Sequence, residues 1–222
     1  MNKFISNNFP NATFGSLRHQ HLHKYLIYNI LKYLIKQRNT NKISYFKFNN
    51  KFEGEFKYYA NSCLELLCIF KHGKLNGEYK KLYIDNGQIQ VRCIFRNDKI
   101  EGDYKKWYEN GQLSTQCTYL SGKIEGEYKS WHENGQLWER CIYINGKKEG
   151  KYETWTEDNQ QFIQCNYANG KREGECKIWW NNVQLYMQCK YIRDKRNGEC
   201  TRWHCDGRLL EHCNYIHGDM RM

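Results

Sequence analysis

The stretch GDYKKWYENGQLSTQCTYLSGKIE, residues 102–125, is followed directly by GEYKSWHENGQLWERCIYINGKKE, residues 126–149. The same pattern recurs about seven times beyond residue 53. Its anchor glycines are Gly54, Gly77, Gly102, Gly126, Gly150, Gly174 and Gly198. A cysteine ladder keeps the same register at Cys68, Cys93, Cys117, Cys141, Cys165, Cys189 and Cys213, each with an aromatic residue two positions later. A fixed period of this kind predicts a repeat architecture.

Each repeat unit is typical of a β-hairpin. The run GxYKxW predicts an aromatic-rich outgoing strand, and QLxxxCxY predicts the return strand. Between them, Asn-Gly or Asp-Gly indicates a type I′ turn, in which both central residues have positive φ. These dipeptides are Asn86-Gly87, Asn110-Gly111, Asn134-Gly135 and Asp206-Gly207. A second turn is predicted at Gly122-Lys123, Gly146-Lys147 and Gly170-Lys171, with Asp98 and Asp194 in the glycine position of two other units. The sequence therefore predicts an all-β, elongated sheet of tandem hairpins.

The alternation of the return strand predicts which side chains share a face. In a regular strand Leu113, Cys117 and Tyr119 share one face, and Ser114, Gln116 and Thr118 share the other. In the outgoing strand Tyr104 and Trp107 lie three positions apart, which indicates either a bulge or a strand buried on both sides.

Three units depart from the pattern in their turns. Val183 follows Asn182 where Asn-Gly is expected, and because a β-branched residue disfavours positive φ we expect that turn to differ. The first unit has Asn61-Ser62 and is one residue short, and the fifth has Asp158-Asn159.

The pattern G-x-Y-x-x-W-x-x-N-G-x-L, followed by a return strand and G-K-x-x-G, resembles the MORN repeat over about residues 50–218. More narrowly it is similar to the roughly 24-residue variant found in tandem arrays of bacteria and large DNA viruses. The resemblance implies an elongated row of hairpins with scaffolding, protein-binding or membrane-associating roles. Some bacterial relatives are labelled antitoxins, and no common set of catalytic residues belongs to the family. The structural repeat positions are Gly102, Tyr104, Trp107, Gly111, Cys117 and Tyr119, and again Gly126, Tyr128, Trp131, Gly135, Cys141 and Tyr143.

The net charge of +11 is concentrated at the N-terminus. Residues 1–52 contain nine Lys and Arg and neither Asp nor Glu, so the rest of the chain carries 35 − 9 = 26 basic against 24 acidic residues. We divide the chain into a basic segment (1–41), the array (42–218) and a short tail (219–222). Within the first segment, residues 17–38 predict a short amphipathic α-helix.

Three roles remain open for this helix. It covers the open first edge of the array, lies on an anionic membrane, or serves as a docking or targeting segment. Its candidate residues for an anionic partner are Arg18, Lys24, Lys32, Lys36 and Arg38. The apolar run at residues 25–35 is too short to span a bilayer.

We interpret the eleven cysteines as packed side chains rather than as a disulfide framework. Two strands per unit separate neighbouring ladder cysteines by roughly 10 Å, too far for a disulfide. We therefore expect reduced thiols and a reducing, cytoplasmic compartment, with association at a membrane periphery left open.

No motif indicates catalysis, a metal or a cofactor. Of His19, His21 and His23 only two share a helix face, with no third ligand nearby, and no phosphate-binding loop or nucleophile elbow is found. Glu101, Glu125, Glu149 and Glu173 recur beside a lysine ladder, which we interpret as solvated ion pairs because an active site does not repeat in every unit.

The expected function is a non-enzymatic MORN-like scaffold for a protein partner, without a small-molecule substrate. Peripheral association with anionic phospholipid is the first alternative. An antitoxin-like or nucleic-acid-binding module is the second, although the acidic residues beside YKKWY argue against nucleic acid. Frequent Lys, Asn, Ile and Tyr indicate an AT-rich genome, which with the resemblance fits a giant virus or a bacterium.

Overall fold

A computed structural model describes residues 42–180 and 183–221. The predicted helix at 17–38, with its five basic candidate residues, lies outside this part of the chain. The strands are β1 (Lys42–Phe48), β2 (Lys51–Ala60), β3 (Cys63–Lys71), β4 (Lys74–Leu82), β5 (Ile89–Arg96), β6 (Lys99–Trp107), β7 (Leu113–Leu120), β8 (Lys123–Trp131), β9 (Leu137–Ile144), β10 (Lys147–Trp155), β11 (Gln161–Ala168), β12 (Lys171–Trp179), β13 (Leu185–Ile192), β14 (Lys195–Trp203), β15 (Leu209–Ile216) and β16 (Asp219–Arg221).

The sixteen described strands form one antiparallel sheet in strictly sequential order, from β1 to β16. The all-β prediction is therefore confirmed for the described residues, which contain no helix. Each repeat unit, numbered one to seven from its anchor glycine, supplies an even-numbered outgoing strand and the odd-numbered return strand after it. The last strand, β16, is formed by residues that the sequence places in the tail. No helix long and apolar enough to cross a membrane occurs within residues 42–180 and 183–221.

The type I′ turns connect successive hairpins. They do not lie at the Asn-Gly and Asp-Gly dipeptides inside each hairpin, where they were predicted. Ser121 and Gly122, between β7 and β8, have φ of 51° and 82°, as a two-residue type I′ turn requires. At Asn110-Gly111 only Gly111 has positive φ, and the Gly111 N–H donates to the Tyr108 carbonyl while Tyr108 N–H donates to the Gln112 carbonyl. This is a three-residue loop closed by a left-handed residue. The prediction of a type I′ turn at the Asn-Gly positions was therefore wrong.

The asparagine of this loop has a hydrogen-bonding role instead. The Asn110 side chain accepts a hydrogen bond from Gln112 N–H at 2.9 Å and donates one to the Glu133 carbonyl of the next loop at 2.8 Å. Asn86 and Asn134 make the same two contacts. Asparagine is thus favoured because its amide joins neighbouring loops and not because its backbone is left-handed.

Val183 adopts the left-handed conformation that its side chain disfavours. Its φ is 60°, and its N–H donates to the Trp180 carbonyl at 3.1 Å, as Gly111 N–H does to Tyr108. The expectation of a different turn was wrong at Val183, because the pairing of Trp179 with Leu185 repeats that of Trp107 with Leu113 and gives Val183 the conformation of Gly111. The loop imposes the strain of a β-branched residue at positive φ.

Two bulges per unit explain the irregular parity of the sequence. Lys106 pairs with Thr115 and Trp107 with Leu113, so Ser114 is an extra residue on β7. Because the extra residue lies on β7, the segment of β6 from Tyr104 to Trp107 is regular, and these two side chains face opposite sides of the sheet. Leu113 lies with Trp107 and not with Cys117, so its predicted face was wrong. The second bulge lies at each anchor glycine. In unit three, Glu101 and Lys105 of β6 are separated by three residues, whereas their partners on β5 are separated by one. Gly102, with a φ of 76°, is one of these three residues.

One face of the sheet, here called the inner face, holds the core. Cys117 and Tyr119 are buried on β7, while Gln116 and Thr118 are exposed on the opposite, outer face, as the alternation predicts. Tyrosine pairs at centroid distances of 5.4–5.7 Å cover the small cysteines between them. Such edge-on aromatic pairs contribute beyond the area that they bury.

Four cysteines are joined in disulfides, which corrects the expectation of reduced thiols at these positions. Cys165 is bonded to Cys176 and Cys189 to Cys200. In units six and seven, cysteine replaces the outgoing-strand tyrosine, and each replacement lies directly opposite a ladder cysteine. As predicted, neither bond joins two ladder cysteines of neighbouring units.

Candidate interaction surface

The outer face arranges charged side chains in rows that run across the strands. In most units a basic residue lies three positions after the anchor glycine and an acidic residue lies one position after it, which forms a basic row and an acidic row. The basic row contains Lys57, Lys80, Lys105, Lys129 and Lys177; the acidic row contains Glu55, Glu78, Asp103, Glu127, Glu175 and Glu199. Because residues two apart in a strand share a face, β2, β4, β6, β8 and β12 each present one acid and one base side by side. In β14, Thr201 stands in the place of the base.

Most of these neighbours form ion pairs along their own strand. The Nζ–O distances are 2.6 Å for Lys57–Glu55, 2.8 Å for Lys80–Glu78, 2.8 Å for Lys129–Glu127 and 3.0 Å for Lys177–Glu175. These pairs are partly exposed, so each contributes little to stability. Their regular spacing makes the outer face a repeating charge pattern.

Unit five reverses this pattern. Lys151 stands in the acidic row and Glu153 in the basic row, with 2.6 Å between their charged atoms. Arg140 from β9 adds a second ion pair to Glu153 at 2.7 Å. Burial alone would raise the pKa of the Glu153 carboxyl, but the hydrogen bonds and charges of Lys151 and Arg140 outweigh it and hold this pKa below its usual value. Glu153 therefore stays ionised as the reversed member of the row.

A groove of about 740 Å³ lies beside the rows in units two to four. It passes over the anchor glycines Gly102 and Gly126, where a Cβ would meet no atom within 4 Å. Thr118 lies between them, and Glu127 and Lys129 of the rows line one part of it. The glycines are required by their positive φ at the bulge, and their missing side chains leave the depression.

Apolar side chains border the groove. Ile94 is 50% exposed and Leu120 is 57% exposed, and both line the groove. The position of Leu120 is repeated by Ile144, Ile192 and Ile216, which are all exposed. Groove, charged rows and apolar row together form the surface that we call the outer-face strip.

The repeated glutamates before the anchor glycines are structural, and their interpretation as solvated ion pairs was wrong. Glu125 accepts a hydrogen bond from Asn145 N–H at 2.7 Å, and Glu101 accepts one from Ser121 N–H at 2.7 Å. Glu149 and Glu173 bind the next turns in the same way, at 2.8 and 3.0 Å. Each carboxylate thus satisfies an N–H of a two-residue turn, and repetition follows from the repetition of the turn.

A second set of contacts joins the loops at the other end of the strands, those within the hairpins. Tyr83 donates its hydroxyl to the Trp107 carbonyl at 2.9 Å, and Tyr108 donates to the Trp131 carbonyl at 2.7 Å. Trp180 Nε1–H donates to the Trp203 carbonyl at 3.1 Å. Neighbouring units are therefore linked at both ends of their strands as well as by the strand pairing.

The ladder cysteines of units one to four are not reactive thiols. Burial raises the pKa of Cys68, Cys93, Cys117 and Cys141 to about 12, so these groups are protonated at neutral pH. No group of three or more His, Cys, Asp or Glu suited to a metal ion occurs in the described part of the chain.

A sequence profile described as the MORN repeat variant matches residues 100–120 and 124–145. Both matches begin in an outgoing strand and end at the close of the return strand, so they cover units three and four. Units three and four are therefore similar to the MORN repeat variant. The other units of the array keep the same strand pairing and the same bulges. A search of curated proteins finds no match to the chain.

MORN repeats are in general non-enzymatic modules for protein interaction or membrane association. Of the predicted structural positions, Gly102 and Gly126 lie under the groove, while Gly111 and Gly135 close the three-residue loops. Tyr104, Cys117, Tyr119, Tyr128, Cys141 and Tyr143 lie on the inner face, and Trp107 and Trp131 on the outer face.

Sequence reasoning missed the outer-face strip. The acid and the base, two positions apart in six of the seven units, were visible signals, but the groove depends on the bulge at the glycine. The reversal in unit five is also readable from Lys151 and Glu153 once the units are aligned.

Proposed function

We propose that the MORN array is a scaffold that binds a protein partner along the outer-face strip. The observation that carries this proposal is the repeating charge pattern beside a groove with exposed apolar residues. An extended segment lying across the strands would meet equivalent charges at every second strand, about 10 Å apart. Exposed apolar side chains next to such a pattern are typical of interaction sites.

The test exchanges the two rows and keeps the net charge. The variant Glu78→Lys, Lys80→Glu, Glu127→Lys, Lys129→Glu copies the reversal that unit five already has, so the ion pairs can reform and the fold is expected to persist. The control, Glu109→Lys with Lys123→Glu, also keeps the net charge and exchanges one acid and one base at exposed positions outside the rows. Circular dichroism and melting curves check that all three chains fold alike.

Each immobilised full-length chain is incubated with nuclease-treated extract, and retained proteins are quantified by mass spectrometry. We expect at least one protein to bind the native chain and the control equally and to be reduced about tenfold or more on the exchanged variant, since like charges then face each other. Equal retention by all three chains, or retention only from extract that was not treated with nuclease, would contradict the proposal.

A further inference from the structure

Five successive strands, β11 to β15, carry a continuous row of cysteines. Cys165, Cys176, Cys189, Cys200 and Cys213 are paired in register, each opposite the next. In the earlier units tyrosine separates the ladder cysteines, as Tyr128 does between Cys117 and Cys141. The replacement of tyrosine by Cys176 and Cys200 therefore turns separate thiols into one row.

The row holds two disulfides and one thiol. The bonded pairs, Cys165–Cys176 and Cys189–Cys200, have Cα–Cα distances of 4.1 and 4.2 Å. Cys213 is unbonded and half-buried, with its Sγ 3.6 Å from the carbonyl oxygen of Cys200. The free thiol thus lies on the strand next to a disulfide.

The remaining neighbours also suit a disulfide. Cys176 lies opposite Cys189, and Cys200 lies opposite Cys213. In an antiparallel sheet the two kinds of opposite pair alternate between Cα distances of about 4.5 and 5.5 Å. Both values fall in the range that a disulfide spans. Five sulfurs in one row therefore allow three arrangements of two bonds. Two of them leave the thiol at opposite ends of the row and differ by one strand, and the third leaves the thiol on Cys189.

We propose that this row is a disulfide relay, in which both bonds move by one strand through thiol–disulfide exchange. The Cys213 thiolate attacks the sulfur of Cys200, the Cys200–Cys213 bond forms, and the Cys189–Cys200 bond breaks with its electron pair leaving on Cys189. The Cys189 thiolate then attacks Cys176, and Cys165 leaves as the thiolate and takes up the proton that Cys213 released. Two bonds form and two break, so no oxidant or reductant is consumed.

The register supplies the geometry that exchange requires. Side chains in register on adjacent strands lie on one line across the sheet, so the attacking, central and leaving sulfurs follow one another along that line. Cys165, Cys189 and Cys200 are each no more than 3% exposed, which keeps external thiols away from the interior of the row. Cys213 is the more accessible end.

The two pairings link different parts of the array. Cys165–Cys176 and Cys189–Cys200 join unit five to unit six and unit six to unit seven. The shifted bonds, Cys176–Cys189 and Cys200–Cys213, lie inside units six and seven. The relay therefore exchanges links between neighbouring hairpins for links within single hairpins.

The experiment maps disulfides in the full chain. Protein prepared at pH 4 is brought to pH 8 without added thiol, sampled over time, quenched with acid, and digested for mass spectrometry. We expect peptides linked through Cys200–Cys213 and Cys176–Cys189 to appear with time beside the original pairs. A map that stays at Cys165–Cys176 and Cys189–Cys200 would overturn the relay.

Variants oxidised in a buffer of oxidised and reduced glutathione give a second test. Cys165→Ser is expected to form both shifted bonds, and Cys213→Ser only the original two. Cys205→Ser, which changes an exposed cysteine outside the row, should match the native map. If Cys165→Ser retains Cys189–Cys200 and leaves Cys176 and Cys213 as thiols, the shifted pairing does not form and the proposal fails.

Discussion

At the scale of single residues, Val183 adopts a positive φ that valine disfavours, because the loop requires it. A left-handed β-branched residue costs roughly 1–2 kcal/mol, whereas glycine costs about 0.5–1 kcal/mol in chain entropy. Val183 is 64% exposed, so removing its side chain loses little packing. Val183→Gly should therefore raise the free energy of unfolding by up to about 1 kcal/mol.

Thermal unfolding monitored by circular dichroism measures this effect. The matched control is Gly111→Val, which introduces the same strain in unit three and should lower the unfolding midpoint. A lower midpoint for Val183→Gly would show that the valine side chain stabilises the loop.

Glu125 gives a second prediction at this scale. Its carboxylate accepts the Asn145 N–H, whereas Glu127, two residues later, is exposed and pairs only with Lys129 of its own strand among the described contacts. Glu125→Ala should lower the free energy of unfolding by about 1 kcal/mol, because a charge-assisted hydrogen bond is lost. Glu127→Ala should change it by less than about 0.5 kcal/mol. Urea titration compares the two, and equal effects would contradict the structural role of Glu125.

At the scale of elements, the hairpins are predictable from the sequence and the turns are not. The 24-residue period and the alternation of Cys117 and Tyr119 with Gln116 and Thr118 correctly indicate paired strands with one buried face. Asn110-Gly111 fits a type I′ turn and a three-residue loop equally well by composition. Only the bulge at Ser114 decides between them, because it sets where the strand pairing ends.

The outer-face strip and the cysteine row also depend on strand register, so neither can be predicted from the sequence period alone. Cys165 and Cys176 are eleven residues apart, a separation that places them opposite each other only after the bulge at Gly174 is counted. The groove likewise needs Gly102 and Gly126 to fall on one face of neighbouring hairpins. Sequence period predicts which residues recur, and bulges decide which of them meet.

At the scale of the whole molecule, the first edge of the sheet raises the question of residues 1–41. On β1, Phe46 and Phe48 are 62% and 60% exposed. Exposed aromatic residues on an edge strand favour aggregation unless another segment covers them. We propose that the predicted helix at 17–38 covers this edge.

Deletion of residues 1–41 tests this role against membrane binding. The shortened chain, residues 42–222, should aggregate more readily and melt at a lower temperature than the full chain, as measured by light scattering and calorimetry. Neither chain should co-sediment with anionic liposomes. Salt-sensitive co-sedimentation of the full chain alone would instead assign the basic segment to the membrane, since screened charge would then carry the binding.

The strictly sequential strand order has a consequence for how the protein is made. Every strand pairs only with the strands before and after it, and the contacts between units reach no further than about one repeat, as from Tyr83 to Trp107. The chain therefore has a low contact order for an all-β protein, and low contact order is associated with rapid folding. Because repeat arrays can nucleate locally and propagate, each hairpin leaving the ribosome can pair at once with the edge already formed.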